Sequence, residues 1–288
     1  MSPSSVREFR WRIRGQTRLL TTRRPLVMGI VNVTPDSFSD GGEYFDHERA
    51  VQHAIELLDE GAAIVDVGGE STRPGAAPVT ADEELGRILP VIEGILMARP
   101  DAVISVDTYK GSVARRAVAA GACIINDVRG GADPALLRTA ADTGAGLILM
   151  HMRGTPRTMQ KLARYGDVVR EVLLELRARV RVALAAGVRE EQLVIDPGIG
   201  FAKKRQHNWE LLRRLNELHE LGLPVLVGLS RKGFLGDVVG RPAADRDAAT
   251  AAALCGCWYR GFHIARVHRP AFAVDAFRIL ECLEFGGS

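Results

Sequence analysis

Eight short runs rich in Val, Ile and Leu recur along the chain, and they constrain its fold more than any other feature. They are Leu26–Val31, Ala63–Val67, Val103–Val106, Cys123–Ile125, Gly146–Met150, Leu193–Ile195, Pro224–Val227 and Ile264–Val267. None alternates strictly between polar and apolar residues, the pattern expected of strands buried on both faces. Amphipathic stretches lie between them. Helices are expected at Glu48–Glu60, Asp82–Ala98, Val168–Ala186, Trp209–Leu221, Arg246–Tyr259 and Ala271–Leu283. Gly187 and Gly222 stand where helices would stop.

Strand then helix, eight times, gives a parallel sheet. Eight units in a chain of 288 residues fit a single-domain α/β fold, a closed (β/α)8 TIM barrel. A doubly wound open sheet is the alternative, but NVTPDSFSDGG after the first run lacks the glycine spacing of a dinucleotide loop. Residues 1–24 precede the first strand; FRWRIRG followed by RLLTT reads as a short β-hairpin across the barrel bottom. Residues 25–288 form the barrel.

Composition narrows the function classes. The content is 47% hydrophobic and 25% charged, which excludes a disordered or collagenous chain. A net charge of +3 is too weak to argue for nucleic acid. No apolar run is long enough for a membrane span, and the start lacks the apolar core of a signal peptide. Four scattered cysteines, including the Cys255/Cys257 pair, read as buried small hydrophobes rather than metal ligands, and they suggest a reducing cytoplasm.

In such barrels the site lies at the C-terminal strand ends. Here every run exits into polar residues: Asn32, then Asp36 and Asp40; Asp66, then Glu70, Thr72 and Arg73; Asp107; Asn126 and Asp127; His151 and Arg153; Asp196 and Lys203; Ser230, Arg231 and Lys232; Arg266 and His268. Each alone could be a helix N-cap; together they point to a site. Arg73, Arg231, Lys232, Arg266 and His268 exceed the carboxylates expected nearby, which suits an anionic, phosphorylated substrate. Asn32 and the first-loop aspartates could hold Mg²⁺, a hard ion that bridges to phosphates. Asp107, Asn126 and Asp196 suit a heterocycle rich in N–H donors. The long NVTPDSFSDGG and GGESTRPGA loops could close over substrate.

These segments resemble the dihydropteroate synthase family from about Leu26 to Leu283. The resemblance is carried by MGIVNVTPDSFSDGG, VDVGGESTRPGA, ISVDTYK, IINDV, MHMRGTP, VIDPGIGFAK, GLSRKGF and RVH, in family order. It implies a barrel transferase of folate synthesis with Mg²⁺. That enzyme joins 6-hydroxymethyl-7,8-dihydropterin diphosphate to 4-aminobenzoate by an SN1-like path, and sulfonamides compete with the amine. It also implies a homodimer. By the same resemblance Asp107, Asn126, Met150, Asp196 and Lys232 bind the pterin. Asn32, Thr72, Arg73, Arg266 and His268 take the diphosphate, with the metal at Asn32. Phe38, Arg73, Pro74, Phe201 and Lys232 form the aminobenzoate subsite. Asp40, Phe38, Lys232 and Arg73 serve catalysis.

Departures from the family pattern are Arg269 and Pro270 after RVH, Ala202 where glycine is common, and Gly233. Arg269 is expected to add positive charge near the diphosphate. A pterin-dependent methyltransferase barrel and a non-catalytic pterin-binding paralogue are the alternatives; the STRPG and SRK loops count against the first, and only Arg269 invites the second.

Overall fold

The computed structural model describes residues 6–34, 42–72 and 75–286, with the backbone alone for 42–46. The chain opens with an antiparallel hairpin of β1 (Glu8–Ile13) and β2 (Gln16–Thr21). Its two-residue turn places Arg14 and Gly15 at φ 45° and 81°, both positive, which matches the twist of a tight hairpin.

Eight parallel strands follow: β3 (Leu26–Asn32), β4 (Ile64–Gly68), β5 (Ile104–Asp107), β6 (Ile124–Asp127), β7 (Gly146–Met150), β8 (Leu193–Asp196), β9 (Leu226–Val227) and β10 (Ile264–Val267). Their order runs β8-β7-β6-β5-β4-β3-β10-β9. A parallel bridge between Ile195 and Val225 brings β8 back beside the start of β9, so the sheet curls into the expected (β/α)8 barrel. The seventh strand is the shortest, because Pro224 lacks the N–H a ladder needs.

The outer wall holds α1 (Gly42–Asp59), α2 (Ala81–Ala98), α3 (Gly111–Ala120), α4 (Pro134–Thr143), α5 (Val168–Ala185), α6 (Arg205–Arg213), α7 (Gly233–Val239), α8 (Asp247–Trp258) and α9 (Pro270–Phe285). Caps fix several starts. Thr80 accepts from the Glu83 amide, Asp133 from Ala135, and Asp167 from Val169 and Arg170. One expected helix is broken: Trp209–Leu221 is the end of α6, a break at Arg214, and a 3₁₀ segment at Leu215–Leu221. Arg214 is pulled aside by Asp167, Glu210 and Glu217, which it binds together.

Strand residues alternate between two apolar environments. Val65, Val67, Ile104, Val106, Ile125, Leu147, Leu149 and Ile195 face outward into the core beneath the helices. Met28, Ile64, Ile124, Ile148, Val194, Leu226 and Ile264 fill the barrel's lower interior, where Trp11 and Ile13 of the hairpin plug its N-terminal end. The plug fits closely. Trp11 Nε1 donates to the Gln192 carbonyl at 2.8 Å, and a Cβ on Gly146 would meet Ile13 Cγ2 at 2.6 Å.

Candidate active site

A strand repeats every two residues, so the position two after each floor residue points into the barrel one layer higher. Ile64 leads to Asp66, Ile124 to Asn126, Val194 to Asp196 and Ile264 to Arg266. The apolar floor thus carries a polar layer, and hydrogen bonds join it. Asp66 Oδ2 accepts from Asn126 Nδ2 at 2.9 Å and from Arg266 Nε at 2.6 Å; Arg266 Nη2 donates to Asp107 Oδ2 at 2.8 Å. Asp66 is fully buried, and its Oδ1 has no partner among the described residues; nor has Ser105 Oγ on the adjoining strand.

Burial decides the charges. It lifts Asp107 well above the carboxylate range, against the opposing pull of Arg266. Asp196 rises to about 6, although the Gly198 amide and Lys232 favour its ionised form. Lys232 falls to about 8, through burial and Arg266, despite Asp196 and Asp107. The free site therefore holds acids and a lysine poised near neutrality, a pattern concentrated at functional sites.

Above this layer opens a cleft of ≈ 840 Å³, whose lining includes Asn32, Thr72, Asp107, Phe201, Lys232, Arg266 and His268. Asn126, Met150 and Asp196 lie buried beneath it. Phe201 carries Lys232 Nζ 4.3 Å above its ring and packs beside Met150, Met159 and Ala202. His268 Nδ1 lies 2.9 Å from Ser230 Oγ; burial, with Arg231 and Arg266, lowers its pKa to about 3, so it is neutral at pH 7. The N-cap alternative does not hold for Asp107, Asn126 and Asp196. Among the described residues Thr80, Asp133 and Asp167 supply the side-chain helix caps, and Asp107, Asn126 and Asp196 none.

Several expectations change. Arg231 is not a spare cation, because Asp247 grips it bidentately at 2.8 and 2.7 Å. Arg266 is likewise neutralised, by Asp66 and Asp107; its side chain remains 21% exposed and lines the cleft. Arg269 points away, bonded to Glu60 at 3.0 Å on the outer wall, and Arg266 keeps both its carboxylates. Ala202 adopts a positive φ of 49°, which explains why glycine suits that position. Phe38, Asp40, Arg73 and Pro74 lie outside the described residues.

The sequence reading named Asp66 among the polar strand exits but gave it no role, though it joins Asn126 to Arg266. A lone aspartate within an apolar strand was the available signal. Lys203 was likewise named there without a role. It is buried against the His151 ring and the Phe201 carbonyl, 3.0 and 2.9 Å away, and burial lowers it to about 7.

A barrel with this mouth defines an enzyme of the pterin-binding class. Residues 28–268 match the family described as "Pterin binding enzyme". Dihydropteroate synthase of Escherichia coli (strain K12) is 46% identical over 262 residues, covering 91% of this chain and 93% of the relative. The Xanthomonas albilineans dihydropteroate synthase solved with 4-aminobenzoic acid superposes with TM-score 0.88 at 46% identity, over 96% of this chain and 99% of that one. The same enzyme in complex with 7,8-dihydropteroate gives 0.85 and 43%, over 95% and 99%. The chain belongs to the pterin-binding enzymes and, within them, to the dihydropteroate synthase family.

Proposed function

We propose that the chain condenses 6-hydroxymethyl-7,8-dihydropterin diphosphate with 4-aminobenzoate, giving 7,8-dihydropteroate and diphosphate. The buried polar layer carries this reading. An amino-pyrimidine edge supplies the N–H donors that Asp107 and Asp196 need, and the Asn126 amide can both donate and accept. Pterin binding would take Asp107 from Arg266 and leave that guanidinium able to face the diphosphate.

The C–O bond to diphosphate breaks first, and the electron pair leaves with the oxygen. The methylene cation is stabilised by the electron-rich ring, so an SN1-like path follows. Arg266, Lys232 and Thr72 favour the leaving group, and the walls keep water from the cation. The amine nitrogen of 4-aminobenzoate then forms the C–N bond and loses its proton. Phe38, Arg73, Pro74, Phe201 and Lys232 would hold the amine substrate, with Asp40 near the cation or the amine proton. A sulfonamide would compete in that subsite.

Mg²⁺ fits through the amide oxygen of Asn32, a hard donor on the cleft wall. No cluster of three His, Cys, Asp or Glu residues able to hold a metal exists among the described residues. One protein oxygen suffices for an ion that keeps waters and binds substrate phosphates. When bound it would offset charge growing on the diphosphate.

Among the described residues no helix is long and apolar enough to cross a membrane. The four cysteines are free thiols, which fits a reducing cytoplasm. On α9, Phe272, Ile279 and Leu283 are exposed at 44%, 62% and 73% along one face; this stripe fits a homodimer interface. The test of function is diphosphate release from purified protein. Release that requires both substrates and Mg²⁺ is expected; pterin binding without release would identify a non-catalytic paralogue instead.

A further inference from the structure

The chain leaving β4 is fastened more firmly than a connecting loop needs. Gly69 lies directly on α2: a Cβ there would meet Ile88 Cγ2 at 2.9 Å and Glu84 Cγ at 3.2 Å. Arg87 Nη1 donates to the Gly69 carbonyl at 2.7 Å. Glu70 follows, its side chain only 8% exposed. Tyr109 Oη donates to Glu70 Oε1 at 2.9 Å, and Lys110 Nζ bridges Glu70 and the buried Glu84 of α2. Beyond the cleft-lining pair Ser71 and Thr72, the Gly75 amide donates to the Pro156 carbonyl at 3.3 Å.

Burying two carboxylates around one lysine is a poor way to gain stability alone, because desolvation offsets most of the attraction. Tyr109 and Lys110 directly follow the Asp107–Thr108 exit of β5, and the Tyr109 ring packs at the edge of the Met150–Phe201 cluster. The fastening therefore links the floor of the cleft to its Glu70–Thr72 wall.

We propose that Tyr109 and Lys110 are positioning residues which, through Glu70, hold the Ser71–Thr72 wall of the cleft in place for diphosphate departure and amine entry. The proposal rests on the reading of the site given above. Asp107, Asn126, Met150 and Asp196, the residues assigned to the pterin on strand ends, make no hydrogen bond to Glu70, Tyr109 or Lys110 side chains.

Two mild variants test it. Tyr109→Phe removes one donor and keeps the ring; Glu70→Gln keeps the shape and removes the charge. Each should lower kcat/KM for 4-aminobenzoate on the order of tenfold. Calorimetric affinity for 6-hydroxymethylpterin should stay at the wild-type value, with Tm little changed. Amide hydrogen exchange at residues 69–72 should quicken in both. Wild-type kinetics and exchange in both variants would overturn the proposal. So would parallel losses of pterin affinity and Tm, which would mark a general effect on folding. If the wild type released no diphosphate, the functional reading would fail separately, and the exchange rates would decide the fastening.

Discussion

Asp196 shows how a buried acid of the candidate site works against stability. Burial raises its pKa to about 6, so the native state binds its proton more tightly than the unfolded chain does. Its contribution to stability therefore declines as pH rises from the unfolded carboxylate value near 4 to about 6, and is constant above that. Lys232, Lys203, Arg266 and the Gly198 amide all favour the charge without cancelling the desolvation. Asp196→Asn should leave Tm at pH 8 undiminished while pterin affinity drops on the order of a hundredfold, measured by scanning and titration calorimetry. Wild-type pterin affinity should also weaken as pH falls below about 6, where Asp196 takes up a proton. At this scale the sequence was partly legible. Asp107, Asn126 and Asp196 could be picked out because each stands at the end of an apolar run, whereas Lys232 lies beyond its run in the SRK segment. The pairing of Arg266 with Asp66 and Asp107 could not, because it joins residues as many as 200 positions apart.

Elements were legible where both faces are apolar. All eight barrel strands were found, most to within a residue or two of their ends. The α1 start was placed late, at Glu48 rather than Gly42. Three helices received no expected range: α3, α4 and α7. The α3 sequence, GSVARRAVAA, is short and built of small residues, and α7 is shorter still. For α4, Asp133 followed by Pro134 was a usable start signal, with the cap one residue before a proline that needs no N–H partner. Trp209–Leu221 failed because side-chain ion pairs around Arg214, not a glycine or proline, interrupt it. The hairpin was legible through its alternating residues, and its role as a plug can be tested. Trp11→Ala would empty a fully buried site at the barrel's N-terminal end. A loss of ~3–5 kcal/mol is expected, lowering Tm on the order of 10 °C. Both substrate KM values should hold, since the cleft lies at the opposite end; a rise in either would show that the plug shapes the site.

For the whole molecule, the barrel separates two tasks along its axis: an apolar floor closed by the hairpin, and a polar mouth held together by charge pairs. The exposed stripe on α9 suggests a third feature, pairing of two copies. By sedimentation velocity the wild type should run as a dimer and Ile279→Glu as a folded monomer; a monomeric wild type at micromolar concentration would remove that reading. The polar mouth itself is tested most directly by a crystal grown with 6-hydroxymethylpterin. The ring should sit with its amino-pyrimidine edge within hydrogen-bond reach of Asp107, Asn126 and Asp196, beside Lys232, with Arg266 released from Asp107. A ring lodged instead in the groove beside the hairpin, lined by Phe9, Arg189 and Leu223, with the Arg266–Asp107 pair intact, would contradict it.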